Sequence, residues 1–183
     1  NDFAAMCRIE VLKLRRTLAL WMVFIAPAVV VSLQMLIWTT MKSGFDVDAD
    51  PWLMFQRNVL SMWAVFMLPL FVALIVALVY HADHASQGWL RMFVLPVARW
   101  TVPAAKLTVI VVMVVAATVA LYAFTLAGTL AASAANPRIE LTPEVPFLLM
   151  AGRTAKVLLA SMVIVAIQNA VSLRFSSVPV SLG

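Results

Sequence analysis

The side chains that could do chemistry are few, and their spacing limits what they could do. His81 and His84 stand three apart with Asp83 between them, a pattern that can hold a metal on one helix face. The chain has only these two histidines, and the spacing differs from the two-histidine zinc protease motif, so the cluster reads as a solvated helix end rather than a metal centre. A pH-sensitive contact with a partner stays open for it. Asp46, Asp48 and Asp50 place oxygens at alternate positions, as a calcium loop does. Pro51 stands where that loop needs Gly, however, and Arg57 where it needs a bidentate Glu, so calcium is not expected. Asp50 followed by Pro51 reads instead as an N-cap and the first residue of a helix. Cys7 is the single cysteine, which excludes an internal disulfide and a cysteine metal cluster. Gln34, Gln168 and Asn169 are uncharged hydrogen-bonding groups inside or near long apolar runs, where they serve as inter-helix bonds or as contacts to a substrate.

The elements that must position these residues belong to a membrane. Of 183 residues, 64% are hydrophobic and 11% charged, against roughly 45–50% and about 25% in ordinary soluble domains. Too few polar groups remain to cover a soluble fold of this length. Four runs are long enough to cross the hydrocarbon core: 18–38, 59–80, 107–127 and 156–173. Ahead of them, residues 3–16 mix Arg8, Glu10, Lys13, Arg15 and Arg16 with Phe3, Met6, Ile9, Leu12 and Leu14. That mixture predicts an interfacial helix with one wet and one greasy side. The expected fold is all-α, a polytopic membrane helix bundle with an N-terminal interfacial helix.

The net charge of +5 does not point to nucleic acid, because the basic residues flank apolar runs and form no stripe. Arg8, Lys13, Arg15, Arg16, Arg91, Arg99, Lys106 and Arg174 fall on one side; Lys42, Arg57, Arg138, Arg153 and Lys156 fall on the other. The excess puts the N-terminus and the connection between spans two and three in the cytoplasm, in a multi-pass protein of the plasma (inner) membrane. The connection at 133–151 contains Pro137, Pro143 and Pro146 and should be irregular. Pro27 and Pro69 lie mid-span and should kink or loosen their helices. Ala116, Ala120, Ala123 and Ala127 offer a small face for close packing on the third span. The spans carry no Asp, Glu, Lys or Arg away from their ends, which leaves a proton relay no residues to run on and offers a membrane-embedded enzyme no acid–base pair.

The segment from Tyr80 to Trp100 is long for a link. Within it, 87–95 predicts a short helix with Trp89, Met92 and Phe93 on one face, ended by Pro96. Such a helix cannot span, so its apolar face must bury on the membrane surface or in a partner protein.

Asp83, then Gly88-Trp89, Leu95-Pro96-Val97, Arg99 and a Lys at 106 opening the next span form a pattern. With the basic N-terminal helix and the run from Gln168 to Phe175, it resembles the membrane subunits of type-2 ABC exporters, especially lantibiotic-immunity and bacitracin-efflux-like permeases. The resemblance implies that 87–95 is a coupling helix docking in a separate ATPase subunit. Gly88 belongs to the motif; Trp89, Leu90, Met92 and Phe93 would form the docking face, ended by Leu95 and Pro96; Asp83, Arg99 and Lys106 would make charge contacts at its ends. It also implies a second permease copy, in a homodimer or heterodimer, with ATP and Mg held by the ATPase and no cofactor on this chain. The cargo would be an amphipathic peptide, drug or lipid. Two departures stand out: the acid is Asp83 where the family more often has Glu, and four spans appear where members usually have six. On this reading 176–183 begins a fifth span, and a chain opening with Asn1 is expected to be part of something longer. No Gly-rich Lys-Ser/Thr phosphate loop occurs, so energy must come from a partner. The competing reading is a membrane sensor or assembly factor that holds a cytoplasmic partner through residues 81–100.

Overall fold

A computed structural model describes residues 2–14, 18–40, 50–84 and 100–175. Among these residues are six α-helices, in order: α1 Asp2–Leu14, α2 Ala19–Thr40, α3 Pro51–Met62, α4 Leu68–His84, α5 Thr101–Ala135 and α6 Phe147–Phe175. A π-helical turn, Trp63–Met67, joins α3 to α4. No strand occurs among the described residues. Among the described residues, four stretches are long and apolar enough to cross a membrane: Ala19–Thr40, Pro51–Tyr80, Thr101–Ala135 and Phe147–Ser172. The all-α polytopic bundle expected from composition is the fold observed. The expected helix at 87–95 and the start of a fifth span at 176–183 lie outside the described residues, as do Asp46 and Asp48.

The helices run past the expected span ends where a charge or polar group marks the boundary in sequence. The second spanning helix begins at Pro51, because Asp50 caps it by accepting from the Trp52 backbone N–H at 3.0 Å. The third begins at Thr101, with Pro103 in its first turn, where a missing N–H costs no helical bond. The fourth begins at Phe147, and Arg153 stays within it by donating to the Leu53 carbonyl at 3.4 Å. Charge therefore does not end a helix here when the bundle supplies the charge with a partner.

The two mid-span prolines differ. α2 continues unbroken through Pro27. At Pro69 the ladder changes upstream, where the Leu68 N–H bonds to the Trp63 carbonyl, five residues back. A proline ring presses on the carbonyl four residues before it, and widening that turn relieves the contact.

The tightest packing joins α2 to α5. A Cβ added to Gly128 would come within 2.5 Å of Val31 Cγ1 and 3.4 Å of Phe55 Cζ, so the absent side chain sets the approach of α2, α3 and α5. Trp38 meets Phe55 edge-on at 5.1 Å in the same region. The small face expected at Ala116, Ala120, Ala123 and Ala127 is not the one buried. Ala120 packs inward, but the other three are exposed, and the inner face runs instead through Ala117, Leu121, Thr125, Gly128 and Ala132. Small residues occur all round this helix, so spacing alone could not choose among its faces.

At the end of the bundle remote from α1, the irregular connection from α5 to α6 is held by side chains. Asn136 donates to the Trp38 carbonyl at 3.1 Å, and Trp52 Nε1 donates to the Thr142 carbonyl at 3.3 Å.

Candidate functional site at the root of the 85–99 segment

α4 ends at His84 and α5 begins at Thr101, so the two helices are the roots of the segment that carries the sequence motif. Gly88, Trp89, Leu90, Met92, Phe93, Leu95, Pro96 and Arg99 lie outside the described residues. Asp83 lies on the last turn of α4, where the backbone course is described and the side chain is not. Lys106 is the motif residue whose surroundings are visible.

Lys106 points into the protein. Its ammonium lies 3.3 Å from Glu10 Oε2, with side-chain exposures of 3% and 2% for the pair. It also donates to the Val79 carbonyl at 3.4 Å and sits 5.4 Å from the centre of the Tyr80 ring, a cation–π distance. The other Glu10 oxygen accepts from Lys13 at 2.8 Å, and Lys13 remains one-third exposed. One carboxylate thus holds two ammonium groups, one dry and one at the rim. The Tyr80 hydroxyl extends the set by donating to Asn169 Oδ1 at 3.0 Å. Hydrogen bonds and charge therefore join α1, α4, α5 and α6 at one level.

The local reason lies in α1. Glu10 and Leu14 are four residues apart, hence on one face, and both are buried; Phe3, Ile9, Val11 and Leu12 are exposed. The expected division into one wet and one greasy side is not what the helix shows: its buried face pairs Glu10 with Leu14, and its exposed residues include Arg8 beside Phe3, Ile9, Val11 and Leu12. Glu10 faces inward, where Lys106 meets it.

The three amides singled out in sequence are all at least partly enclosed. Asn169 is bound by Tyr80, and Gln168 Nε2 donates to the Pro69 carbonyl at 3.5 Å, so both bridge the second and fourth spanning helices. Gln34 is buried on α2. Sequence reasoning missed Gln56, which is wholly buried on α3 and donates to the Met150 carbonyl at 2.6 Å and to Thr154 Oγ1 at 3.2 Å. It also missed the roles of Glu10 and Tyr80. A buried Lys needs a counter-charge, and Glu10 is the acid of the N-terminal helix closest to the first span, but nothing local joins residues 96 positions apart.

A polytopic all-α membrane protein with an N-terminal helix packed across the roots of one connection is the class this architecture defines. The sequence model of the ABC-2 family transporter proteins matches residues 6–183, and the chain belongs to that family. It is a multi-pass membrane permease, the transport component of an ABC transporter rather than its catalytic one. The match covers the whole family and does not separate out the lantibiotic-immunity and bacitracin-efflux branch. No curated protein and no solved structure is matched.

Proposed function

We propose that this permease is driven by a separate ATPase subunit and exports an amphipathic peptide, drug or lipid, with 87–95 as the coupling helix. The observation that carries the reading is the Glu10–Lys106 pair, because it fastens α1 to the structure from which that segment leaves and returns. In a working exporter, ATP-driven closure of the partner would push on the Trp89, Met92 and Phe93 face. The load would pass to α4 and α5, the two helices the segment joins. Lys106 on α5, by holding Glu10 and the Val79 carbonyl together, makes α1 and the end of α4 move with it. Tyr80 passes the same displacement to α6 through Asn169. A rigid aromatic anchor in a partner's cleft is suited to the first of these steps.

On this reading α1 and the 85–99 segment lie on the cytoplasmic side of the plasma (inner) membrane, two permease copies flank the pathway, and ATP and Mg reside in the ATPase. The test is co-expression of the permease with a candidate ATPase, followed by vanadate-sensitive ATP hydrolysis in lipid for wild type and Trp89→Ala. Hydrolysis that requires the complex and falls sharply in Trp89→Ala supports coupling. Absence of a complex, or hydrolysis indifferent to the permease, removes it in favour of a sensor or assembly role.

A further inference from the structure

Of the four spanning helices α6 is the least covered by the rest of the described chain, and its bare face begins in a recess. Where the chain from Val145 turns into α6 lies an open cavity of about 620 Å³, whose wall includes Pro146, Phe147, Leu149, Gly152, Arg153 and Lys156. Its size falls within the roughly 300–1,000 Å³ of small-molecule sites. Residues 149, 152, 153 and 156 are three or four apart in turn, hence on one face of the helix. Gly152 leaves that face open, since a Cβ added there would meet nothing within 4 Å.

The wall carries two cations and no acid. Arg153 is half-buried, and its Nη1 donates to the Leu53 carbonyl at 3.4 Å, which fixes the guanidinium and leaves other donors of its fork over. Lys156 is exposed. Among the described residues neither forms an ion pair, and Glu144, the nearest acid in sequence, lines no part of the recess. A lone lysine nine residues into a spanning helix reaches the headgroups of any lipid by its flexible stem. A guanidinium tied to a neighbouring helix cannot wander in that way. Together they present a fork and a point charge, which suits phosphate. Beyond the recess the bare face is apolar: Leu159, Val163 and Ile167 follow at intervals of four and are 71%, 62% and 58% exposed. From Lys156 to Ile167 is about 16 Å at 1.5 Å per residue, half of the roughly 30 Å hydrocarbon core and so the depth of one leaflet.

We infer that this recess binds an anionic phospholipid of the leaflet at the end of the bundle remote from α1. Its phosphate sits between Arg153 and Lys156, and an acyl chain lies along Leu159, Val163 and Ile167. Charge complementarity selects the occupant. A zwitterionic head brings a cation of its own toward two already present, and an apolar helix packed on this face would have to bury Lys156 without a counter-charge. On the orientation proposed above the leaflet is the outer one, but the site stands apart from the exporter reading and is tested by binding alone.

The test uses the full chain in phosphatidylcholine nanodiscs doped with phosphatidic acid that carries a photoreactive diazirine on one acyl chain. Phosphatidylcholine bearing the same diazirine is the comparison, and labelled peptides are mapped. Labelling should concentrate on 145–167, about tenfold more from the anionic lipid than from the zwitterionic one. Lys156→Gln should lose most of that preference at an unchanged melting temperature, since the lysine is exposed and makes no ion pair among the described residues. Gly152→Leu should displace the label by filling the recess, also without a loss of stability, because the space there is open. Arg153→Gln should lose the preference and melt lower, as its bond to the Leu53 carbonyl goes with it. Arg57→Gln removes an exposed cation of α3 that lies outside the recess and should keep the preference. Equal labelling by the two lipids, a preference untouched in Lys156→Gln, or an equal loss in Arg57→Gln overturns the proposal and leaves ordinary surrounding lipid. Loss of the label to millimolar inorganic phosphate also overturns it, in favour of a site for the free anion. The exporter reading is decided separately by ATP hydrolysis in the complex, so either can fail alone.

Discussion

Removing the charge at residue 10 should cost more than removing both charges of the buried pair. In Glu10→Gln, the Lys106 ammonium keeps the Val79 carbonyl at 3.4 Å and the Tyr80 ring at 5.4 Å but loses the Glu10 carboxylate at 3% exposure. Breaking a buried pair by deleting one partner costs about 3–5 kcal/mol, because the survivor is a desolvated, uncompensated charge. Lys106→Met strands the carboxylate less completely, since Lys13 still bonds it at 2.8 Å from a wetter position, so its cost should sit at or below the low end of that range. Replacing both partners by apolar groups of similar size is commonly neutral or stabilising. Glu10→Leu with Lys106→Met should therefore unfold near the wild-type temperature, although Lys13 then loses its bond to Glu10. At about 2–4 °C per kcal/mol for a chain of this size, Glu10→Gln should lower the melting midpoint by roughly 6–20 °C. The assay is thermal unfolding in detergent for wild type, both single variants and the double, read as a double-mutant cycle. Single losses that simply add in the double variant, within about 0.5 kcal/mol, would show that Glu10 and Lys106 do not act on each other.

Other perturbations follow from the same geometry. Tyr80→Phe keeps the ring beside Lys106 but removes the donor to Asn169 Oδ1, so it should cost about 1–3 kcal/mol in thermal unfolding and leave the Glu10–Lys106 coupling energy intact. Gly128→Ala should destabilise by about 1–3 kcal/mol, since its Cβ meets Val31 Cγ1 at 2.5 Å, and Val31→Ala in the same chain should recover most of the loss. Asp50→Ala removes the cap on Trp52 and should cost about 0.5–2 kcal/mol; faster amide exchange confined to the first turn of α3 would locate the effect.

The spanning helices were legible because lipid imposes a strong rule: long uncharged runs must be helical to satisfy their backbone. Asp50-Pro51 was legible for a local reason, as capping chemistry lies within two residues of sequence. Helix ends at charged positions were not. Sequence treats Lys106 or Arg153 as a boundary, whereas the bundle gives Lys106 to Glu10 and Arg153 to the Leu53 carbonyl and lets the helices continue. The buried face of α5 failed for another reason, since alanines surround that helix and rotation by one residue turns a different set inward. At the candidate site, Gln168 and Asn169 were visible as polar groups at or near membrane depth, and Lys106 as a motif residue opening the third span. Their partners Glu10, Pro69 and Tyr80 were not, because each lies on a distant helix and only packing reveals it.

The balance of energies at Glu10 bears on why a charged pair is there at all. For stability alone, two apolar side chains would serve as well, because desolvation offsets most of the attraction between buried charges. What an ion pair adds is intolerance of misplacement. An apolar contact between α1 and α5 could slide by a turn at little cost, whereas moving Glu10 one turn, about 5.4 Å, would separate two dry charges. That property suits a joint at the roots of a segment proposed to receive force, where α1 must follow α5 without slipping. The contact between the second spanning helix and α6 carries charge as well, since half-buried Arg153 donates to the Leu53 carbonyl one turn from the neutral Gln56–Thr154 bond, but there the charge meets a carbonyl and no opposite charge. Transport that survives uncoupling of Glu10 from Lys106 would refute the role proposed for the joint.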